Sequence, residues 1–165
     1  MTHYLVIGNC GVGKTYVLRK LLSNMPDNKP QKLGQVFFHQ EGAVGILGKY
    51  VGGVFDGSDR LSMSVAADFP RLHKYAMQHG LTLVGEGDRF MNKTFMDLFA
   101  PTVLLIQGTG EEGRARRGSA QSERQLKSIA TRVSNIQGVR HRFADSEACY
   151  QFLKTALMER QHANA

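Results

Sequence analysis

Cysteine is nearly missing. The 165 residues hold only Cys10 and Cys149, too few for a disulfide framework, so the expectation is a chain that folds by packing alone in a reducing cytosol. Long hydrophobic runs are missing too. The longest apolar stretches, such as Thr102 to Ile106, fall far short of the ~20 residues that cross a bilayer, and no secretory leader is legible, so no membrane role is expected. No internal repeat and no low-complexity segment divides the chain, which makes one domain over residues 1–165 the expectation. No set of His, Cys, Asp and Glu has metal-ligand spacing, so no zinc site is expected at His39 or Glu41. Acidic residues are the minority: 21 Lys and Arg against 14 Asp and Glu give +7, which points to a polyanionic partner.

What is present is a sharp local signal. Gly8-Asn9-Cys10-Gly11-Val12-Gly13-Lys14-Thr15 fills the pattern G-x-x-x-x-G-K-[ST]. The apolar run Tyr4–Ile7 before it reads as a buried strand and Thr15 to Leu22 after it as a helix, which is the context that makes this pattern a phosphate cradle. Glycines let successive amides turn inward, and the positive end of the helix faces the β- and γ-phosphates of a nucleotide. Lys14 supplies a mobile charge for the γ-phosphoryl group, and the Thr15 hydroxyl is placed to ligate Mg²⁺.

Along the rest of the chain, short apolar strands alternate with amphipathic helices, the pattern of a parallel sheet covered on both faces. Strands are predicted near 3–8, 33–39, 80–86, 102–107 and 138–143, with a further short strand within 44–50. Helices are predicted near 14–24, 62–78, 90–99, 119–135 and 145–160, with Pro26 and Pro30 in the loop after the first helix. Ligands of such sheets bind at the carboxyl ends of strands, so function is expected in the loops that follow them.

Three of those loops carry chemistry. Leu81 to Val84 leads into Gly85-Glu86-Gly87-Asp88-Arg89-Phe90, where Glu86 and Asp88 are candidates to hold Mg²⁺ or to take an acceptor proton. The glycine-rich connection from His39 to Ser64 contains Glu41, Lys49, Tyr50, Asp56, Asp59 and Arg60. There Asp59 is a candidate base or hydrogen-bond acceptor as well as a candidate helix cap, and Arg60 a candidate phosphate ligand. From Gln107 to Arg142, eight Lys or Arg stand against three Asp or Glu. Arg114, Arg116 and Arg117 lie among glycines where a lid over about 108–120 can hinge and bring an arginine to a transferring phosphoryl group. The following helix sets Leu126, Ile129, Ala130 and Val133 on an apolar face, with Arg124, Lys127 and Arg132 opposite, either solvated or facing a polyanion. Phe90, Tyr50 and Phe55 are candidate stacking surfaces for bases and equally candidate core residues.

Assembled, the phosphate loop, Asp88-Arg89 and the arginine-bearing lid resemble the P-loop kinases of the thymidylate kinase group. The stretches "GKYVGGVFDGSDRLSMS", "GEGDRFMN" and "RARRGSAQSERQLKSIATRVSNI" look most similar to the small phage kinases that phosphorylate 5-hydroxymethyluracil in DNA. The acid found in the phosphate loop of ordinary thymidylate kinases is Asn9 or Cys10 here. The resemblance implies a three-layer αβα sandwich around a mainly parallel five-stranded sheet, with ATP and Mg²⁺ as cofactors. It implies Lys14, Glu86, Asp88, Asp59, Arg114 and Arg117 in catalysis, residues 8–15 on the nucleotide, and Thr15, Glu86 and Asp88 on the metal. The acceptor side would be Glu41, Asp59, Arg60, Arg89, Arg124 and Lys127. A kinase of free nucleoside monophosphates and a non-catalytic nucleotide-binding module are the alternatives. The basic charge favours a polymer, whose phosphates need several cations at once, and the acceptor base would be reached by extrusion or in an open strand.

Overall fold

The computed structural model describes residues 2–52, 56–118 and 121–163, apart from the side chains of Arg117 and of 161–163. Among the described residues seven strands form one sheet: β1 (Tyr4–Ile7), β2 (Lys29–Leu33), β3 (Val36–Glu41), β4 (Val44–Leu47), β5 (Thr82–Glu86), β6 (Thr102–Ile106) and β7 (Val139–Phe143). Their order is β2-β3-β4-β5-β1-β6-β7, with β1 at the heart of the parallel part. The pairs β4–β5, β5–β1, β1–β6 and β6–β7 are parallel, while β2–β3 and β3–β4 are antiparallel. β5 is buried along its whole length, as a parallel strand covered on both faces must be.

Helices cover both faces, so each face builds its own core. On one side α1 (Lys14–Ser23) and α6 (Ser146–Ala163) bury Val17, Leu18, Leu21, Tyr150, Leu153 and Leu157 against Val6, Ile46, Val84 and Leu104. On the other, α2 (Phe69–His79) and α3 (Lys93–Phe99) bury Phe69, Leu72, Phe95 and Phe99 against Leu5, Ile7, Phe38, Leu83 and Val103. Val133 of α5 (Glu123–Asn135) packs half-buried on that second core.

The sheet differs from the five-stranded expectation. The run 33–39 is not one strand, because Gly34 at φ 59° turns the chain between Leu33 and Val36 and makes a hairpin of β2 and β3. Pro30 sits inside β2 rather than in a loop, which the edge position allows because that strand has only one neighbour. The short strand expected within 44–50 is β4.

Helix boundaries shift for local reasons. The helix predicted over 62–78 begins only at Phe69, after a 3₁₀ turn at Val65–Asp68, because Pro70 fits the first turn of a helix and not its interior. The one predicted over 90–99 starts at Lys93, where the Asn92 side chain accepts the Phe95 amide at 2.9 Å. The one predicted over 119–135 is α5, entered through a capping box of Ser122 and Gln125. A separate short helix, α4 (Glu111–Arg117), stands before it within the span expected to be the lid and ends at Gly118 with φ 63°.

Candidate functional site

The parallel strands β1 and β5 end side by side, with Val6 opposite Glu86 in register. The loops after them therefore face one another across a cleft of about 710 Å³. One wall is the glycine loop. Gly11 and Gly13 hold φ 94° and 100°, and Gly13 leads into α1 with no side-chain cap on the first turn of the helix. Lys14 curls back, its Nζ donating to the carbonyls of Gly8 at 2.9 Å and Asn9 at 3.1 Å.

The opposite wall is acidic. Glu86 is 2% exposed, and its Oε1 accepts the hydroxyls of Thr15 at 3.4 Å and Ser58 at 2.9 Å. Burial raises its pKa, with the Lys14 charge pulling against that shift. Asp88 and Asp59 line the same cleft. Asp88 is paired with Arg132, whose Nη1 lies 2.5 Å from Oδ1, and more loosely with Arg89 at 3.7 Å. Ser58 and Asp59 are presented by a 3₁₀ turn at Ser58–Arg60, and Asp56 pins the chain just before it. The Asp56 carboxylate, 1% exposed, accepts from Arg19 and Arg60 at 2.9 Å each and from the amides of Val51 and Gly52. Burial pushes its pKa up, but those bonds outweigh burial and bring it down to about 2.

α4 closes the third side by backbone-to-backbone contact. A Cβ on Gly11 would lie 2.1 Å from the Gly110 carbonyl oxygen, and one on Gly113 would lie 1.8 Å from that of Gly11. Only glycine permits this approach. Arg114 Nη1 donates to the carbonyls of Cys10 and Thr109 at 2.8 Å each, and the Cys10 thiol donates to Gln121 Oε1 at 2.6 Å. Asn9 Nδ2 adds a bond to the Gly108 carbonyl at 2.8 Å. At the far end of the cleft, α6 begins against Gly13, and Ser146 and Glu147 line the wall.

Lys14, Thr15, Asp59, Glu86 and Asp88 are thus brought together with Gly8, Cys10, Gly11, Val12 and Gly13, and Asn9 lies within the same loop. Other expectations are corrected. Arg114, expected at a transferring group, buttresses the glycine loop, and it is Arg116 that lines the cleft. The Arg117 side chain, Phe55 and residues 119–120 lie outside the described part. Glu41 does not line the cleft, and its Oε1 takes the Asp27 amide at 3.0 Å. Arg60 is held by Asp56, and Arg89 Nε donates to the Leu61 carbonyl at 3.2 Å. His39 contacts Asn28 at 3.0 Å, away from the cleft. Phe90 is fully buried in the core and offers no stacking face, and Tyr50 is half-buried. Arg132 is exposed like Arg124 and Lys127, but its guanidinium reaches Asp88, whereas the other two form no such ion pair among the described residues. Ala130, expected on the apolar face, is exposed.

Sequence reasoning passed over Gln121 and Met91 as site residues, gave Ser58 no role apart from its neighbours Asp59 and Arg60, and gave Asp56 no anchoring role. Ser58 stands beside the flagged Asp59, but nothing in spacing tells that its hydroxyl meets a carboxylate 28 positions away. No protein-family model matches the chain, and no curated protein matches it either.

Proposed function

We propose that this chain is a single-domain, ATP-dependent kinase of the P-loop class, similar to the thymidylate kinase group, that phosphorylates the hydroxymethyl oxygen of 5-hydroxymethyluracil in DNA. The observation that carries the reading is the Thr15 hydroxyl 3.4 Å from the buried Glu86 carboxylate, at the start of a helix that follows a glycine loop bearing Lys14. A hydroxyl and a carboxylate side by side make an all-oxygen donor pair, which fits Mg²⁺. Among the described residues no group of three or more His, Cys, Asp or Glu could hold a metal ion. Mg²⁺ suits such a sparse site because it keeps its waters and takes the remaining ligands from phosphates. When bound, the ion neutralises charge on the β- and γ-phosphates.

The chain supplies the rest. The amides of residues 11–15 and Lys14 hold the phosphates, and Arg116 adds charge from α4. The acceptor oxygen forms a bond to the γ-phosphorus as the bond to the β–γ bridging oxygen breaks, ADP leaves, and the acceptor's proton passes to Asp59 or Asp88. A +7 chain with Arg124 and Lys127 exposed on α5 suits a polymeric acceptor. No helix among the described residues is long and apolar enough to cross a membrane.

Incubation with γ-labelled ATP tests the reading, using in parallel hydroxymethyluracil DNA, unmodified DNA and free nucleoside monophosphates. Label is expected in the modified DNA alone, and Lys14→Ala, folded by circular dichroism, is expected to abolish it. Transfer only to a free monophosphate would replace the DNA function with nucleoside monophosphate phosphorylation. Nucleotide binding without transfer to any acceptor would leave a binding module. Asp59→Asn and Asp88→Asn, assayed alongside, identify the base.

A further inference from the structure

The candidate cleft has two unlike ends. Three carboxylates, Asp59, Glu86 and Asp88, gather at the β5 end, whereas Ser146, Glu147, Gly113 and Arg116 form the end beside β6 and β7. A nucleotide whose phosphates rest on the glycine loop extends its nucleoside away from the three carboxylates, so the acceptor enters over them. A polymeric acceptor must then continue past Asp59, across the side of the molecule where the antiparallel strands lie.

A second concavity of about 360 Å³ lies there. Arg19, Ser23, Asn28, His39 and Tyr50 line it, between the outer end of α1, the chain after it, and the strands β3 and β4. Arg19 lines both this groove and the main cleft, so the two concavities lie on either side of one side chain. Building on the DNA-acceptor reading above, we infer that this groove holds the single strand of DNA that flanks the acceptor base.

Charge and shape both favour that occupant. The one carboxylate in the lining, Asp56, is buried and shared between Arg19 and Arg60, so these three side chains together carry one net positive charge at the groove's edge. Beyond the lining, where a strand leaving the groove along β3 would run, Lys32 of β2 and Lys49 after β4 are exposed, and their ammonium groups lie 5.2 Å and 5.0 Å from the centre of the half-buried Phe37 ring. Phe37 and His39 are two residues apart on β3 and share a side of the strand. The His39 and Tyr50 rings stand 5.8 Å apart. Cations beside aromatic faces are what a single strand uses: backbone phosphates meet ammonium and guanidinium groups, and bases stack on rings. A groove of this volume takes one nucleotide at a time, and only an unpaired strand offers nucleotides singly. The other exposed basic strand, β7 with Arg140 and Arg142, lies on the opposite edge of the sheet, beyond the nucleoside end of the cleft.

The test compares a trinucleotide and a 15-mer, each single-stranded with one central hydroxymethyluracil, for the wild type, the double variant Lys32→Ala/Lys49→Ala and the double variant Arg124→Ala/Lys127→Ala. The wild type is expected to prefer the 15-mer by at least ~10-fold in kcat/KM, with the preference lost in the Lys32/Lys49 variant. The log–log salt dependence of 15-mer binding should flatten by about 1.4 in that variant, roughly 0.7 for each of two phosphate contacts on a single strand. Equal use of both lengths by the wild type overturns the groove, as does better use of a duplex than of a single strand. A length preference and salt slope that survive in the Lys32/Lys49 variant and vanish in the Arg124/Lys127 variant also overturn it, leaving the DNA kinase reading in place. Transfer to a free monophosphate and to no DNA of either length removes that reading and the groove together.

Discussion

An alanine at Gly113 sets two physical rules against each other. Gly113 stands inside α4 and has no left-handed backbone, so helix preference alone makes Gly113→Ala stabilising by ~1 kcal/mol. Packing reverses the sign. The new Cβ would lie 1.8 Å from the Gly11 carbonyl oxygen and 2.8 Å from its carbon, where real contacts stop near 3.0 Å. Both partners are backbone, so no side chain can swing aside, and α4 must lift from the glycine loop by about 1.2 Å, the difference between 1.8 and 3.0 Å. Overpacking of this kind costs ~1–3 kcal/mol. Set against the helix gain, the net loss is ~0–2 kcal/mol, or up to ~8 °C in Tm at the ~2–4 °C per kcal/mol of a domain this size.

The ligand effect should be larger than the thermal one. Lifting α4 stretches the Arg114 bond to Cys10 across the gap, while its bond to Thr109 moves with the helix, and a misplacement near 1 Å within a site can cost ~10²-fold in rate. Calorimetric titration with a non-hydrolysable ATP analogue is expected to show affinity reduced at least ~10-fold, and a thermal scan a Tm equal to or below that of the wild type. A higher Tm with unchanged affinity would refute the packing argument. The thermal arm stands whatever the ligand is.

Two further outcomes follow from the acidic wall and its anchor. Glu86→Gln removes a charge that burial disfavours, so stability should hold or rise while phosphoryl transfer falls by ~10²-fold or more and the Mg²⁺ requirement moves to higher concentration, read in a metal titration of kcat. Asp56→Ala removes the ion pairs to Arg19 and Arg60 and the acceptor of two amides, at a cost of about 2 kcal/mol or more by urea unfolding at neutral pH. Because Asp56 titrates at about 2 in the fold against 3.8 ordinarily, its stabilisation is complete above about 3.8 and fades as pH falls toward 2. The gap between wild type and variant should therefore narrow across that acid window, and a gap constant from pH 5 to pH 2 would count against the ion-pair account.

The sequence by itself determined the glycine loop and its flanks, because that signal is local: a buried strand, glycines that must adopt left-handed conformations, and an amphipathic helix all lie within Tyr4–Ser23. It also determined the alternation of strands and helices, since periodicity reports which face of each element is buried. Glu86 and Asp88 were legible at a strand's end for the same reason. Local turns set the element boundaries that were misplaced: Gly34 folding one expected strand into a hairpin, Pro70 delaying a helix. Only the tertiary structure decided which side chains meet. Arg132 reads as a solvated helix residue until α5 packs on the sheet and turns it onto Asp88. Arg114 reads as a mobile lid arginine until the glycines at 11, 110 and 113 let α4 settle on the loop and turn it onto the Cys10 carbonyl. Ser58 reaches Glu86 only because Asp56, paired to Arg19 of α1, fixes the path of a glycine-rich connection. Such contacts join residues tens of positions apart, and their geometry depends on how helices sit on the sheet, which no local pattern of residues encodes.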